Sequence, residues 1–198
     1  MSSSSTEFNI YNNLLKYIDI IKFKPDDKKI NNKKDFIKTL QFHSYIKIKA
    51  KDEKNNVLYA FLLEDDRFVS KSIEFKRLLN TVQEKKVDIL IISKGGIKTT
   101  VMKFINSYSR KNIRIKDLRY AHFKMDPRKN ILVPKHHLCT EEETRKIMDD
   151  NNIEDINMFP KIKKTDVQVL WLGGSAGQLV KIKRNTVIGF ESYYRVIV

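Results

Sequence analysis

Two short apolar runs constrain the fold of this chain more than any other feature of its sequence. They are Val57–Leu63 and Val87–Ile92, and each is bounded by polar residues or glycines. Apolar runs of roughly four to eight residues are typical of strands that are buried on both faces of a sheet. Segments with apolar residues at helical spacing separate and flank these runs, at residues 8–21, 33–42, 70–85 and 97–108. The alternation predicts an α/β N-terminal domain.

Weaker patterns complete the expected order of elements. We expect strands at Tyr45–Ala50 and Ile113–Phe123, and a polar turn at Asp52–Asn56. Met125–Asn130 is a charged turn that contains a proline, and it is the best candidate for a domain boundary. After it the sequence predicts a strand at Ile131–Cys139, a helix with a capping box at Thr140 and Glu143, an irregular segment at 156–162, a short helix at Asp166–Leu172, and strands at Leu179–Arg184 and Ser192–Val198.

The chain carries an excess of positive charge, most of it in the N-terminal part. It has 39 Lys and Arg residues and 24 Asp and Glu residues, a formal net charge of +15. Residues 1–120 carry a net +12 and the remainder a net +3. This balance indicates nucleic acid as the main partner class, with an acidic protein second. Because 30 of the basic residues are Lys, which binds phosphate as a point charge, we expect backbone contact rather than base reading.

The sequence also excludes several classes of protein. It contains no stretch of about 18 uninterrupted apolar residues, so we expect no membrane span. Met1–Thr6 is a serine-rich segment that we expect to be a flexible tail rather than a secretory leader. Cys139 is the single cysteine, so an internal disulfide is impossible and a reducing compartment is permitted.

A metal site is the first chemical candidate, because His136, His137 and Cys139 lie close together. On an extended strand, however, His137 and Cys139 share one face and His136 points to the other. Three ligands divided between two faces make a poor tetrahedral site, and no second pair of ligands is available to complete it. We therefore expect these residues to be structural and the protein to hold no metal.

Two further segments resemble enzyme motifs only superficially. Asp65 and Asp66 precede Glu74 and Lys76, an order of acidic and basic residues found in many nucleases. In nucleases the Glu and the Lys lie on a strand, where residues two apart point to the same face, whereas here they fall in a predicted helix, where residues two apart diverge. The glycine-rich segment Gly173–Gly177 lacks the Lys-Ser/Thr ending of a phosphate-binding loop, and glycines there are better explained by turn geometry. We expect no catalytic site and no cofactor.

An ordered set of motifs covers the chain from Ile131 to its last residue. The motifs are Leu132-Val133-Pro134-Lys135-His136, a capped helix with Glu142 and Glu143, Phe159-Pro160-Lys161-Ile162, Asp166, Leu172-Gly173, the run from Gly177 to Arg184, and Tyr194-Arg195-Val196. Each motif is weak alone, but their order and spacing resemble the shared fifth subunit of eukaryotic nuclear RNA polymerases. They also resemble the archaeal counterpart of that subunit.

The resemblance implies a non-catalytic subunit of a DNA-dependent RNA polymerase with two domains. Residues 126–198 would form a small α+β assembly domain with a short mixed sheet, which docks on the largest polymerase subunit. Residues 7–125 would form an α/β jaw domain beside downstream double-stranded DNA. The positions that match the family motif, and so the candidate interface residues, are Val133, Pro134, Lys135, His136, Pro160, Asp166, Gly173, Gly177, Val180, Arg184, Tyr194 and Arg195.

The N-terminal part resembles the eukaryotic subunit only in length, position and α/β pattern. The archaeal counterpart lacks this domain, so the resemblance implies the eukaryotic branch or a virus that uses it. Val167 stands where the family has a proline after Asp166, and Arg184–Ile188 replaces an Arg-Pro-Ser-Glu-Thr stretch. These departures and the Lys, Ile and Asn bias suit a large DNA virus. The expected location is then the virion and host cytoplasm, or the nucleus for a cellular protein.

A cluster of four lysines is the candidate DNA-proximal surface. Lys47, Lys49 and Lys51 alternate along one predicted strand, so they share a face, and Lys54 follows in the turn. We expect Arg195 to pair with an acidic or carbonyl group, within its own domain or across the interface. The alternative to a polymerase subunit is a free-standing basic nucleic-acid-binding protein, which would retain DNA without any partner.

Overall fold

The structure, a computed structural model, describes residues 3–26, 29–64, 87–99, 113–187 and 189–198, together with Arg77 and Lys103. The chain divides into two compact units, Met1–Met125 and Asp126–Val198. The helices expected at residues 70–85 and 97–108 lie largely outside the described residues. So do Asp65, Asp66, Glu74 and Lys76 of the nuclease-like pattern.

A five-stranded mixed sheet forms the centre of the N-terminal unit. Its strands, in both chain and spatial order, are β1 (Lys24–Pro25), β2 (Tyr45–Lys51), β3 (Val57–Leu63), β4 (Val87–Ser93) and β5 (Ile113–Arg119). The pairs β1/β2 and β2/β3 are antiparallel, whereas β3/β4 and β4/β5 are parallel. The two apolar runs are strands, as the sequence predicted, and the structure places them next to each other inside the sheet, where both faces of a strand are buried.

Two helices precede the long strands. Helix α1 spans Ser3–Ile20 and α2 spans Lys33–His43. The side chain of Asn32 accepts a hydrogen bond from the backbone N–H of Lys34 and so caps α2. Part of the expected N-terminal tail is helical, since α1 already begins at Ser3. The first four N–H groups of a helix have no acceptor within the helix, so residues such as serine, which disfavour helix interiors, are well tolerated in the first turn.

The chain turns inward directly after β5. The expected strand Ile113–Phe123 ends at Arg119, and Tyr120–Phe123 forms a 3-10 helix. The buried Tyr120 hydroxyl donates to the Leu63 carbonyl at 2.7 Å, and Phe123 packs edge-on against Tyr17 at 5.4 Å. Burial raises the pKa of Tyr17 to about 12. These aromatic contacts, distant in sequence, stop the strand where alternation alone would extend it.

The C-terminal unit is built on a second mixed sheet. Its strands are β6 (Lys135–Leu138), β7 (Lys161–Ile162), β8 (Leu179–Thr186) and β9 (Gly189–Ile197), in the spatial order β6-β8-β9-β7. The pairs β6/β8 and β8/β9 are antiparallel and β7/β9 is parallel. Helix α3 spans Glu141–Asp150 and α4 spans Val167–Trp171. The short mixed sheet expected from the sequence is present, and so is the capping box of α3.

The strand expected at Ile131–Cys139 is much shorter in the structure. Only Lys135–Leu138 pairs with β8, and Ile131 is almost fully exposed. Asn130 forms a turn instead, because its side chain accepts from the N–H of Leu132 and its carbonyl from the N–H of Val133. This local turn overrides the apolar pattern. At the other end, β8 and β9 both extend beyond their expected bounds into a long hairpin.

Separate apolar clusters pack on the C-terminal sheet. One comprises Cys139, Phe159, Leu179 and Val196, with partly buried residues from α3 and the loop after it. The other comprises Val169, Val180, Ile182 and Ile197. Because neighbours along a strand face opposite sides, Val196 and Ile197 place these clusters on the two faces of β9. Among the described residues, no helix combines the length and apolar character that a bilayer crossing requires.

Candidate subunit interface and nucleic-acid surface

The lysines of β2 share one face of the N-terminal sheet, as their spacing predicted. Ile46, Ile48 and Ala50 are buried on the opposite face, whereas Lys47 is exposed and Lys49 half-buried. Residues two apart in a strand lie about 7 Å from each other, so the side chains form a row. This row of lysine side chains can contact an extended anion.

The last two lysines of this row, Lys51 and Lys54, have local interactions within the N-terminal unit. The ammonium of Lys51 lies 3.0 Å from a carboxylate oxygen of Asp26, so part of its charge is neutralised within the unit. In the turn that follows, the Asp52 carboxylate accepts from the backbone N–H of Lys54 and from both the N–H and the side-chain amide of Asn56. The hydrogen bonds from Asn56, mainly, hold the pKa of Asp52 below its usual range. These hydrogen bonds close the turn that carries Lys54.

Several family-motif residues of the C-terminal unit meet where β7 pairs with β9. The Arg195 guanidinium donates to the Lys161 carbonyl at 3.0 Å, which is the carbonyl partner expected for it. The Pro160 carbonyl accepts from the N–H of Val196. The Tyr194 ring packs edge-on against Phe159 at 6.1 Å between centroids. These contacts join the two sequence motifs around Pro160 and Tyr194 into one corner of the sheet.

Beyond that corner, β8 and β9 project as a hairpin whose tip is exposed. Arg184 stacks over the Tyr193 ring at 4.8 Å, and the Tyr193 hydroxyl lies 2.6 Å from a Glu191 carboxylate oxygen. Val187 and Phe190 are both more than four-fifths exposed. Large exposed apolar side chains with a polar surround are typical of protein-binding surfaces.

The Val-Pro-Lys-His motif lies at the opposite edge of the C-terminal sheet. Val133 and Pro134 are half-buried, Lys135 is exposed, and a ring nitrogen of the half-buried His136 lies 2.8 Å from the Pro134 carbonyl. Because β6 and β7 are the two outer strands of the four, this motif and the Pro160 corner lie at different edges.

The neighbouring histidine belongs to the capped end of α3. The Glu143 carboxylate accepts from the N–H of Thr140 at 2.9 Å and lies 3.0 Å from Nε2 of His137. The hydrogen bond from Thr140, followed by that from His137, lowers the pKa of Glu143. Among the described residues, no group of three His, Cys, Asp or Glu side chains converges into a metal site.

Four other motif residues have structural positions. Asp166 caps α4 by accepting from the N–H of Gln168, and Val180 is fully buried beneath that helix. Gly173 ends α4 at a φ of 68°, a conformation in which any Cβ is strained. Gly177, at a φ of 85°, donates its N–H to the Ile197 carbonyl. The glycine-rich segment thus supplies turns, as expected.

The sequence did not predict an ion pair that lies at the start of the C-terminal unit. Asp126 is buried and binds the Arg128 guanidinium through both carboxylate oxygens, at 2.9 and 2.7 Å. The same guanidinium lies 5.3 Å from the ring centroid of Trp171, which has no exposed surface. The only available signal was an acid-proline-arginine run, which is read more readily as a surface turn.

We expect Asp126→Asn to destabilise the C-terminal unit. Hydrogen bonds to charged groups contribute about 2 kcal/mol, so the free energy of unfolding at pH 7 should fall by about that amount. Trp171 is the single tryptophan of the chain, so its fluorescence during urea unfolding of the full chain reports on this unit alone. Glu154→Gln, which removes an exposed carboxylate of the same unit, is the control.

The pH dependence separates this ion pair from a packing effect. The hydrogen bonds from Arg128 lower the pKa of Asp126 in the folded state. The stabilisation is therefore present above the unfolded pKa of about 3.9 and is lost as the pH falls through the lower folded value. The difference between wild type and Asp126→Asn should shrink in acid. A difference that stays constant between neutral and strongly acidic pH would contradict the ion-pair explanation.

Comparison with known proteins places these residues in a family. The family described as "RNA polymerase Rpb5, C-terminal domain" matches residues 125–197. The DNA-directed RNA polymerase subunit Rpo5 of Thermococcus celer is 38% identical over 68 residues, which are 34% of this chain and 82% of the archaeal protein. The chain belongs to the Rpb5/Rpo5 family of RNA polymerase subunits.

Further Rpb5/Rpo5 relatives divide into a short and a long kind. Rpo5 of Methanosphaera stadtmanae is 36% identical over 75 residues, covering 96% of that protein but only 37% of this chain. The DNA-directed RNA polymerase RPB5 homolog of African swine fever virus is 25% identical over 159 residues, covering 75% of this chain and 76% of the viral protein. The viral match therefore reaches well into the N-terminal unit, which supports a viral version of the subunit. The chain is an accessory, non-catalytic polymerase subunit.

Proposed function

We propose that the C-terminal unit docks this subunit on the largest subunit of a DNA-dependent RNA polymerase, and that the N-terminal unit lies beside downstream double-stranded DNA. The observation that carries the proposal is the Rpb5 family match to residues 125–197, which coincides with the compact C-terminal unit to within one residue at each end. The likeness to the African swine fever virus proteins supports a virus-encoded polymerase, for which we expect a location in the virion and host cytoplasm.

The surface of the C-terminal unit supports a role in assembly. Charges of both signs are nearly balanced there, and the exposed apolar side chains Val187 and Phe190 lie at the end of the β8/β9 hairpin. An apolar centre surrounded by polar groups is the usual composition of a protein interface. We place the candidate interface residues at two edges of the sheet, the Val133–His136 motif at β6 and the Pro160, Arg184, Tyr194 and Arg195 group along β8 and β9.

The charge of the N-terminal unit supports the DNA part of the proposal. Its net positive charge gains affinity for duplex DNA through release of counterions, with no need for sequence reading. Lys47, Lys49, Lys51 and Lys54 offer one row of such contacts on β2 and its turn. Contact of this kind is independent of sequence and suits a subunit that must hold any transcribed template.

The assembly role predicts that loss of residues 126–198 removes the chain from the polymerase. Tagged full-length protein should co-purify with both large polymerase subunits from cells that express the enzyme, as identified by mass spectrometry. Residues 1–125 alone should recover neither subunit above background. The reciprocal chain, residues 126–198, serves as the control and should recover both.

Two results would reject this assignment. If residues 1–125 co-purify as well as the full chain, assembly does not reside in the C-terminal unit. If the full chain recovers no polymerase subunit but retains duplex DNA at physiological salt, a free-standing basic nucleic-acid-binding protein is the better description.

A further inference from the structure

The outer edge of β9 is open over most of its length. Strand β7 pairs only with Val196 and Ile197 of β9, although β9 begins at Gly189. Within the described residues, no other strand pairs with this edge. Phe190 and Ser192 on it are exposed. An open edge presents a row of backbone donors and acceptors to which another extended chain can add.

The hydrogen bonds at the end of β9 show which groups face outward. The N–H of Ile197 donates to the Gln178 carbonyl beside β8, whereas the N–H of Val196 donates outward to the Pro160 carbonyl. Since direction alternates along a strand, the N–H and carbonyl groups of Phe190, Ser192 and Tyr194 also point away from β8.

Pro160 ends the pairing at this point. The next bond of a continued β7/β9 ladder would run from the N–H of residue 160 to the Tyr194 carbonyl, and proline has no N–H. The open edge therefore extends from Phe190 to Tyr194. A strand of about five residues, roughly 17 Å long, fits it.

Charge is unevenly distributed over the C-terminal unit. Residues 141–155, which form α3 and the loop after it, contain seven acidic and two basic side chains. The segments 161–164 and 179–197, which form the sheet around the open edge, contain seven basic side chains and one acidic one. An incoming chain at this edge thus meets a sheet that is rich in Lys and Arg, with Glu191 as its one acidic residue, which favours an acidic segment.

We propose that the open edge of β9 binds an extended acidic segment of another polymerase subunit by strand addition. This proposal rests on the docking role of the C-terminal unit and specifies one of its contacts. Backbone bonds from Phe190, Ser192 and Tyr194 provide the affinity. The basic side chains, among them Lys183 and Arg195, select the acidic sequence.

The same features disfavour other occupants. Nucleic acid could accept from the outward N–H groups through its phosphates, but its backbone has no row of donors spaced to match the outward carbonyls of β9. A second copy of this chain would pair two basic edges, and like charges across paired strands are destabilising. A peptide strand alone offers both donors and acceptors in register.

The first test uses Ser192→Pro in the full-length tagged chain, with Ser192→Ala as the matched control. Proline removes an outward N–H and is tolerated on an edge strand, where that N–H does not pair within the sheet. Co-purification with the large subunits should fall by about tenfold for the proline variant, which corresponds to about 1.4 kcal/mol. The alanine variant, which keeps the N–H, should match the wild type. The fluorescence of Trp171 in urea verifies that both variants fold.

A second measurement leaves the backbone intact. Hydrogen exchange of the outward amides of Phe190, Ser192 and Tyr194 should be fast in the free wild-type chain and at least several-fold slower in the assembled polymerase, whereas the amides between them, which bond to β8, should be protected in both. The photo-crosslinker p-benzoylphenylalanine in place of Phe190 should attach, in the assembled enzyme, to a peptide of another subunit that is rich in Asp and Glu.

Each other outcome overturns the proposal. Crosslinking to a second copy of this chain, to nucleic acid or to a basic peptide assigns the edge a different occupant. Full assembly of Ser192→Pro, or exchange that is equally fast in the free and assembled states, shows that no strand adds there. If residues 126–198 are still required for co-purification in that case, the docking role stands and only strand addition fails.

Discussion

Replacing Trp171 with Ala should strongly destabilise the C-terminal unit and leave the stability of the N-terminal unit unchanged. The indole is completely buried, and replacing a buried Trp with Ala costs about 3–5 kcal/mol. A unit of this size has a free energy of unfolding of roughly 5–10 kcal/mol at most, so the loss removes much of it. The stacking of Arg128 over the ring is lost as well, which leaves that guanidinium with Asp126 as its partner.

Hydrogen exchange of the full chain measures the two units separately, and does so without the tryptophan as a probe. Peptides from β8 and β9 should lose their protection in Trp171→Ala, whereas peptides from β3 and β4 should keep theirs. Trp171→Phe retains most of the ring volume and should show a smaller loss. Equal loss of protection in both units would mean that they unfold together, which would contradict the separation into two independent cores.

The elements that the sequence predicted well are those that depend on local patterns. The inner strands β3 and β4 follow from uninterrupted apolar runs. The capped start of α3 follows from Thr140 and Glu143, whose reciprocal hydrogen bonds join residues three apart. The alternation along β2 correctly placed its lysines on one face. In each case the determining interaction lies within a few residues of the chain.

The features that the sequence did not predict depend on contacts between distant segments. Lys51 binds Asp26, 25 positions earlier, so its charge was counted as available when it is partly neutralised. Arg128 lies over the Trp171 ring although no periodicity relates the two residues. Ile131 is an exception, because a local turn at Asn130, and not a distant contact, leaves this apolar residue exposed.

The family motif did not predict a single site either. Its ordered residues mix structural roles, such as Asp166 at a helix start and Val180 in the core, with positions on two different sheet edges. Order along the chain identifies a family because it records the whole fold. It does not state which of these residues contact a partner.

Simultaneous substitution of Lys47, Lys49, Lys51 and Lys54 by Gln should weaken the binding of the assembled polymerase to downstream duplex DNA. Each phosphate that a lysine neutralises contributes a slope of roughly −0.9 to log affinity against log salt. Loss of two to four such contacts should therefore make the slope shallower by about 2 to 4. Affinity should fall most at low salt, where counterion release is strongest. Assembly should be unaffected, because the C-terminal unit is unchanged.

A control variant with the same loss of charge distinguishes direct DNA contacts by the β2 lysines from a general electrostatic attraction by the whole N-terminal unit. Lys16, Lys33, Lys34 and Lys38 lie on α1 and α2, and their replacement with Gln lowers the net charge by the same amount. It should reduce the salt slope far less, since charges that do not meet phosphates act only over a Debye length of about 10 Å at 0.1 M salt. Equal effects of both variants would show that only total charge matters. An unchanged slope in the β2 variant would exclude this strand from DNA contact and leave other faces of the N-terminal unit as the candidates.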